Sequence, residues 1–594
     1  MRPAHPTRDR CLVRAHPRCR SWRLGALLAC SLASSPALEA ATFVVGAGAG
    51  CTHATLASAV AAAAANGPGD DTIRLAVPSI ALPALVDVVD QGVLIFGGYS
   101  SCTATTQTGR TTITGGGSND AFWVHGAATE YRSFVLSRVT LDMTGSGLRP
   151  LRLDQLANVV LDAVDLVGGS AIDGGNVWMS GQVILQILGN SQIRDGVASD
   201  DGGGIYCEAG GQIFLDGGSD VHNNWVDSSG GGIYADDCDV TVRSGETADD
   251  PAWSEGVWNN NSVDPGGGIA AVNGSTVALT GLSRDAIAGL ISNSTSSAGG
   301  GLYLSGTGTT GVARNARIQS NGGNPGGGVF VGVGATFTMD VNSSTCSAGR
   351  GCSDISDNYT THPGGMGGAA IGVATGGGAS VRQTEIHYNH SFVGPGGSVA
   401  AVASGGSLYL EGCEIHDNDY LPTDPDVSRF RVLNGSTVTV AFSTLVEDTV
   451  APGVGVFEVE GGATFELLSS IIHASTTFEA PAAATLVDCV ITKETASFPA
   501  GGTEISTVTD PLALFVNPAQ NDYRLRRSSP AIDYCDTFNI APTDTDIDGD
   551  LRGFDAPPAN NLGTFDLGAD EWLALLFVDG FETGNAGLWS ASVP

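Results

Sequence analysis

The feature that most constrains this chain is a phrase that recurs along residues 193–418. Each copy has an aliphatic residue, two polar residues and an asparagine, then a short gap, two or three glycines and a branched apolar residue. A degenerate first copy at 193–196 has glycine in place of the asparagine. Because the phrase stays the same while the number of residues between copies varies, it indicates a solenoid with one turn per copy and insertions in loops. The asparagines of the clear copies are Asn224, Asn260, Asn293, Asn321, Asn358, Asn389 and Asn418.

The segments between the marks predict β-strands. They alternate apolar and polar residues, as in 275–279 and 407–410, and show no apolar stripe of helical period. We expect the aliphatic residues to face a core, the asparagines to stack as a hydrogen-bonded ladder, and the glycines to permit positive φ and close stacking. A propeller or sandwich is disfavoured because Asn-Gly hairpin turns are rare here. The predicted fold class is an all-β, right-handed, single-stranded parallel β-helix.

The first residues read as an export signal. Arginines up to Arg23 precede an apolar stretch at 24–38, and small residues follow at Ala40 and Ala41. Cleavage before Cys30, as in a lipoprotein, ranks lower because the apolar stretch before it is short. The predicted organisation is a signal peptide at 1–40, an N-terminal cap with a helix over 54–65 and the first coils at 42–110, β-helix coils at 111–510, a C-terminal domain at 511–571 and a tail at 572–594.

Nine of the 12 cysteines follow residue 40, and an oxidising compartment allows them to pair. Proximity along the chain favours Cys51 with Cys102, Cys207 with Cys238, and Cys346 with Cys352. The remaining three leave one over, and the sequence does not say which. They are Cys413, Cys489 and Cys535.

The charge balance excludes some partners. The net charge is −35 and Lys493 is the one lysine after the signal. Such a surface repels nucleic acid and anionic lipid, and it repels polyuronates unless cations bridge the two. The longest late apolar run, 572–578, is far shorter than the ~20 residues of a spanning helix, so no transmembrane segment is expected in the mature chain. The oligomeric state stays open.

Three parts of the chain resemble known families. The asparagine and glycine phrases resemble the repeats of polymorphic outer-membrane proteins, which implies a pectin-lyase-like β-helix. A set of motifs near the C-terminus closely resembles the choice-of-anchor Q domain, and the tail at 579–582 resembles tails of exported proteobacterial proteins. Together they imply an extracellular or outer-membrane-associated surface protein, without fixing an activity. The motifs run Asn521–Leu525, Ser529–Asp533, Asp548–Arg552 and Asp566–Glu571.

One motif has the spacing of a metal site. Alternate carboxylates before Gly549 are able to wrap a hard cation, so tentative calcium is the one cofactor predicted. The other interpretation is an Asp-rich turn held by side-chain to backbone hydrogen bonds. The predicted ligands are Asp544, Asp546, Asp548, Asp550 and Asp555.

Catalytic residues stay unknown. The fold class hosts pectate lyases, in which calcium on carboxylates and a basic residue do the chemistry, but the usual lyase and hydrolase phrases are missing. His222, His387 and His416 share one repeat position and are interpreted as tolerated turn residues. For a lyase, the candidate acidic ligands are the pairs Asp200-Asp201, Asp236-Asp237 and Asp249-Asp250, and the candidate bases are Arg194 and Arg243.

The leading hypothesis is therefore a non-catalytic exported protein that adheres to a cell surface or contacts glycans. A polysaccharide lyase or hydrolase acting on an acidic glycan is the first alternative. A structural cell-surface component is the second.

Overall fold

The computed structural model is a right-handed parallel β-helix, as the repeat predicts. All but the last residue of the predicted signal peptide at 1–40, almost all of the predicted tail at 572–594, Asp555, Cys346 and the pair Asp249-Asp250 lie outside the residues that it describes. Those are 40–67, 69–116, 120–126, 129–244, 256–282, 286–341, 352–360, 366–391, 397–418, 428–447, 454–480, 484–535, 542–553 and 563–573.

Each coil contributes a strand to three faces in turn, which we call A, B and C. Every strand pairing within the three faces is parallel among the described residues, and apolar side chains at alternate positions fill one continuous core. A two-residue strand adds a small column between B and C in five coils: Ser170–Ala171, Val197–Ala198, Trp225–Val226, Asn261–Ser262 and Ser294–Thr295.

Face A begins at the N-terminal end and runs the length of the solenoid. Its strands are Thr42–Val45, Asp70–Leu75, Gly92–Phe96, Arg132–Ser137, Ala157–Asp162, Ile184–Leu188, Gln212–Leu215, Asp239–Arg243, Thr276–Thr280, Thr310–Arg314, Thr336–Asp340, Gly378–Arg382, Ser407–Glu411, Thr437–Ala441, Thr464–Ala474, Ala484–Thr492 and Thr503–Thr507.

Face B joins face A at a tight turn with one residue in the left-handed region, such as Ala163 at φ 53°. In the last coils the two faces merge within Thr464–Ala474 and Ala484–Thr492. The other strands of face B are Ser79–Leu82, Thr111–Gly115, Val139–Asp142, Asp165–Val167, Gln192–Arg194, Asp220–His222, Gly256–Trp258, Ala288–Ile291, Ala316–Gln319, Asp354–Ser356, Glu385–His387, Glu414–His416 and Thr444–Glu447.

In the coils that carry a glycine run, face C follows that run. Its strands are Val86–Val89, Asp120–His125, Arg149–Asp154, Val177–Ser180, Ile205–Glu208, Ile233–Asp236, Ile269–Val272, Leu302–Ser305, Val329–Val331, Ile371–Val373, Ala400–Val402, Phe430–Val432, Phe457–Val459 and Phe478–Ala480.

The asparagines form the predicted ladder at the corner that follows face B. Each side-chain amide donates to the Oδ1 of the asparagine one coil on, at 2.9–3.1 Å from Asn224 to Asn418. The backbone N–H of each asparagine from Asn224 to Asn389 donates to the same oxygen. The last rung is Glu447, whose Oε1 lies 3.3 Å from Asn418 Nδ2.

The glycines act as predicted at the corner before face C. Gly202 has φ 70°, which favours glycine. A Cβ on Gly203 would lie 2.5 Å from the carbonyl oxygen of Gly231 in the next coil. Successive coils therefore approach at this corner more closely than any side chain would allow.

The N-terminal cap contains the predicted helix, observed as Leu56–Asn66. Thr55 is the N-cap and its side chain accepts the N–H of Ser58. Ala59 and Ala63 lie on the buried face of the helix and join the main core. This helix covers apolar side chains of the first coils that no preceding coil would cover.

The described residues of 511–573, which we call the terminal segment, pack on the outer side of the last coils. A short helix at Pro511–Leu514 and a 3-10 turn at Pro518–Gln520 flank an antiparallel pair, Phe515–Asn517 with Asp522–Leu525. Their apolar side chains form a second core with solenoid residues that face outward, including Ile471. The domain boundaries at 110, 510 and 571 stay predictions.

The predicted disulfides Cys51–Cys102 and Cys207–Cys238 are present. Cys489 pairs with Cys535, which ties the last coils to the terminal segment. Cys413 is the cysteine left over, a buried free thiol. Cys352 is disulfide-bonded, but its expected partner lies outside the described residues.

Candidate functional site

Face C carries a regular outward row of side chains. In the strand Ile205–Glu208, Ile205 and Cys207 point into the core, whereas Tyr206 and Glu208 are partly exposed. Because neighbouring strands are parallel and in register, each outward residue lies beside its counterpart in the next coil. A residue type repeated at this position therefore becomes a continuous stripe on the surface.

The residue type repeated on face C is aromatic. Seven partly exposed side chains, six of them aromatic and one an arginine, occupy successive registered positions, interrupted once by the small, fully buried Ala270. Seven steps of ~4.8 Å give a length of about 34 Å. We call this row the aromatic stripe; it consists of Trp123, Arg152, Trp178, Tyr206, Tyr234, Tyr303 and Phe330.

The first part of the stripe is a cation–π sandwich. The guanidinium carbon of Arg152 lies 4.1 Å from the ring centroid of Trp123 and 4.7 Å from that of Trp178. Trp123 Nε1 donates to Asp154 at 2.8 Å. These contacts fix the two indoles on the rigid sheet before any ligand arrives.

The second part consists of two stacked pairs. Tyr206 and Tyr234 have centroids 5.4 Å apart and rings 7° from parallel, and Tyr303 and Phe330 have centroids 5.5 Å apart at 8°. The paired faces are occupied, so the stripe presents ring edges and phenol hydroxyls to its surroundings. This part of the stripe is therefore a row of apolar ring edges with phenol hydroxyls at their outer ends.

The two tyrosines of the first pair remain protonated donors. Burial, and then the nearby carboxylates, raise the pKa of both Tyr206 and Tyr234 well above the usual value. Tyr206 donates its hydroxyl to Glu208 Oε2 at 3.1 Å. The two hydroxyls therefore add hydrogen-bonding groups to the apolar ring edges of the stripe.

Carboxylates line both sides of the stripe. On one side Asp154, Ser180, Glu208 and Asp236 occupy one registered column at the ends of the strands. On the other side Asp173 Oδ1 accepts the N–H of Asp201 at 3.3 Å, and Asp201 Oδ1 accepts that of Ser229 at 3.0 Å. We call Asp173, Asp201, Glu208 and Asp236 the carboxylate border.

The acidic loop predicted to bind calcium is folded around Asp546. This side chain is fully buried: Oδ1 accepts the N–H groups of Asp548 and Asp550 at 2.9 and 2.8 Å, and Oδ2 accepts that of Glu571 at 2.7 Å. Burial raises the pKa of Asp546 to about 6. These bonds are those of the Asp-rich turn considered above.

The outer carboxylates of the loop, Asp544, Asp548 and Asp550, are exposed or partly exposed. Asp555 lies outside the described residues, so calcium binding by this set stays a prediction for titration calorimetry. Among the described residues, three potential ligand side chains converge within 4.8 Å at Cys489, Glu504 and Cys535. Because the two cysteines are joined to each other, this group is a cross-link beside a carboxylate.

The residues weighed for a lyase are spread around the solenoid. Asp201 precedes a face C strand and Asp236 ends the next one, whereas Arg243 ends a strand of face A. Arg194 ends a strand of face B, where its Nη1 lies 2.6 Å from Asp195. The structure therefore does not place these acids and bases on one face.

The histidines of the repeat end face B strands, and the prediction that they are turn residues is wrong. The left-handed turn begins one residue later, at Tyr388 after His387 and at Asp417 after His416. The two imidazoles stack at 5.1 Å, whereas His222, several coils away, stacks on Trp258 at 4.1 Å.

The environment of His416 links this pair to the terminal segment. Its ring lies 5.2 Å from that of Tyr523, and its Nδ1 lies 3.0 Å from Asp417. Burial lowers the pKa of His387, but Asp354, 3.4 Å from Nε2, outweighs burial and the net shift is upward. These imidazoles are packing and ion-pairing groups beneath the terminal segment.

The comparisons with known proteins give no identification. No known protein family matches this chain, and no curated protein is significantly similar to it.

The aromatic stripe was missed in the sequence, although a signal for it is present. An aromatic residue follows the branched apolar residue after the glycine run at Tyr206, Tyr234, Tyr303 and Phe330. The glycines mark the corner, so the second residue beyond them has the same outward direction in each coil. Trp123 and Trp178 lack a full glycine run, and only the registered structure adds them.

Proposed function

We propose that this chain is an exported, surface-associated or secreted protein that contacts glycans through the aromatic stripe without cleaving them. The observation that carries the proposal is the row of seven registered, partly exposed side chains along one face. The signal-like N-terminus and the resemblance of the C-terminal motifs to the choice-of-anchor Q domain support export to the cell surface.

The chemistry of the stripe suits a sugar polymer. A polysaccharide repeats the same combination of C–H surface and hydroxyl groups along its length. The stripe repeats apolar rings with hydroxyl and carboxylate tips from coil to coil. Tyrosine and tryptophan provide large contact areas at low cost in side-chain entropy. A glycan chain lying along the solenoid axis would meet matching groups at every coil.

The rigidity of the surface also favours binding. The rings stand on paired strands and are fixed by stacking and by the Arg152 sandwich, so little order has to be gained on binding. No described arrangement unites the acids and bases weighed for a lyase on this face. Contact without turnover is therefore the function that we propose.

A pair of variants tests the stripe. Trp178→Ala combined with Tyr206→Ala removes two neighbouring rings, and we expect an affinity loss of about tenfold or more for a glycan identified on an array. Trp225→Ala is the matched control, because Trp225 is an exposed tryptophan, 40% accessible, that lies on the small column between faces B and C and outside the aromatic stripe. Circular dichroism verifies that each variant is folded.

Three outcomes would count against the proposal. They are equal binding by the stripe variant and the parent, no glycan bound by the intact protein, and release of cleavage products from a bound glycan. Fractionation of the producing cells tests export separately, since a cytoplasmic location of the mature chain would contradict it.

A further inference from the structure

The middle of the aromatic stripe has more carboxylate than cation around it. Glu208 accepts the hydroxyl of Tyr206, and Asp236 occupies the same column one coil on. Asp173 and Asp201 approach from the glycine corner, where their negative charges act on Tyr206 and Tyr234 respectively. Two stacked tyrosines are thus bordered by four acids.

The nearest described arginines have partners of their own. Arg149 Nη1 lies 3.1 Å from Asp120, and its other guanidinium nitrogens donate to the carbonyls of Asp173 and Gly174. Arg152 is held between two indoles. The chain as a whole carries a net charge of −35, so no general positive field compensates the border.

We propose that this middle section binds a glycan bearing free amino groups, that is, an amino-sugar polymer with positively charged ammonium substituents. The inference rests on the proposed function of the aromatic stripe and specifies its ligand. An ammonium group has three donors, and carboxylates with phenol oxygens between them supply the acceptors. The sugar ring that carries it packs against the tyrosine edges.

Charge complementarity selects this class over two others. An N-acetylated chain of the same backbone retains the apolar contact but offers no charge to the border. A polyuronate brings carboxylates against carboxylates and is repelled. An amino-sugar polymer gains from both the rings and the border along several coils.

The experiment compares three oligosaccharides of equal length by titration calorimetry: a glucosamine oligomer, its fully N-acetylated counterpart, and an oligogalacturonate. We expect the glucosamine oligomer to bind about tenfold or more tightly than the acetylated one, and the uronate not to bind. The preference should shrink as salt is raised, because part of it is between charges.

An isosteric variant tests whether the carboxylate border causes the preference for the glucosamine oligomer over the acetylated one. The double variant Glu208→Gln, Asp236→Asn removes both negative charges. Each amide keeps an oxygen acceptor, at position 208 for the Tyr206 hydroxyl and at position 236 for the Asn273 side chain, which donates to Asp236 at 2.9 Å. We expect this variant to bind the two glucosamine-based oligomers with similar affinity. Asp239→Asn is the control, since Asp239 is exposed at the start of a face A strand.

The outcomes separate this inference from the proposed function. Equal binding of amine and acetylated oligomers, both lost in the Trp178→Ala, Tyr206→Ala variant, would overturn the inference and leave glycan contact standing. A preference for the amine that survives in the Glu208→Gln, Asp236→Asn variant would also overturn it, since the attraction would then be general. Binding of none of the three would count against both.

Discussion

Asn293 shows how one side chain joins three coils. Its Oδ1 accepts the backbone N–H and the Nδ2 of Asn260 at 3.1 and 3.0 Å, and its Nδ2 donates to Val257 O and to Asn321 Oδ1 at 2.9 and 3.1 Å. The side chain is fully buried, so all four bonds replace water that cannot enter. Each rung thereby satisfies backbone groups that the corner leaves without a strand partner.

In the degenerate copy of the phrase at 193–196, the asparagine missing from the ladder is replaced by a side chain from the preceding coil. Gly196 stands where an asparagine is expected, and the side chain of Asn176 occupies its place, with Nδ2 3.1 Å from Asn224 Oδ1. A Cβ on Gly196 would lie 2.4 Å from that nitrogen. The amide is thus supplied by the glycine corner of the preceding coil.

Replacing Asn293 by alanine should therefore destabilise the solenoid strongly. The substitution removes four buried hydrogen bonds and leaves the partners on Asn260 and Val257 unsatisfied, which corresponds to about 2–4 kcal/mol. Thermal and urea unfolding followed by circular dichroism measure the loss. Asn434→Ala, at an exposed turn, is the control and should change stability little. Equal midpoints for the two variants would contradict the ladder's role.

Among elements, the terminal segment is held to the solenoid by both covalent and polar contacts. Gln383 Nε2 donates to the carbonyls of Thr545 and Asp546 at 2.8 and 2.7 Å, and Ala569 N donates to Thr444 Oγ1 at 3.0 Å. The Cys489–Cys535 disulfide adds a cross-link. The segment therefore covers outward side chains of face B that would otherwise be exposed, including His416.

Removing that cross-link should loosen the segment before the solenoid. The double variant Cys489→Ser, Cys535→Ser removes the disulfide, so the chain between the last coils and the terminal segment gains conformational freedom when it unfolds. We expect the free energy of unfolding to fall by about 2–4 kcal/mol. Limited proteolysis should then cut within 511–573 faster than in the parent, while the coils remain protected. Cys413→Ser is the control, because Cys413 is a free thiol. Cutting that is unchanged, or that begins within the coils, would contradict the described docking.

At the scale of the whole molecule, buried acids make stability depend on pH. Burial raises the pKa of Glu447 to about 7, despite Arg429 beside it, and burial together with the neighbouring Glu571 carboxylate raises the pKa of Asp566. A folded-state pKa above the unfolded one means that the contribution to stability is complete at low pH and is lost as pH rises through the folded value. His387, with a raised pKa, acts in the same direction.

Consequently the melting temperature should fall between pH 6.5 and 8.5. His222, whose pKa burial lowers to about 4, opposes this trend only below its usual value of 6.5, outside that interval. For each proton that the folded state binds and the unfolded state does not, the free energy of unfolding falls by about 1.4 kcal/mol per pH unit. Differential scanning fluorimetry at two salt concentrations measures the effect. Its persistence at high salt separates buried groups from surface repulsion, and a flat or rising curve would contradict it.

The coil could be predicted from the amino-acid sequence because its signals are local. Period-two alternation places apolar side chains inward, asparagine satisfies a corner, and glycine allows coils to approach, each within one copy of the phrase. The helix at Leu56–Asn66 was predicted in the same way and begins two residues later than expected.

Only the tertiary structure decided what lies side by side on the surface. Neighbours across coils are separated by steps as different as the 28 residues from Asn293 to Asn321 and the 37 from Asn321 to Asn358. Loop insertions absorb the difference, so outward register cannot be counted along the chain. The glycine runs mark four members of the aromatic stripe, but only the paired strands align all seven in one row. The Cys489–Cys535 pairing and the docking of the terminal segment also depend on contacts between distant residues, which no local pattern specifies.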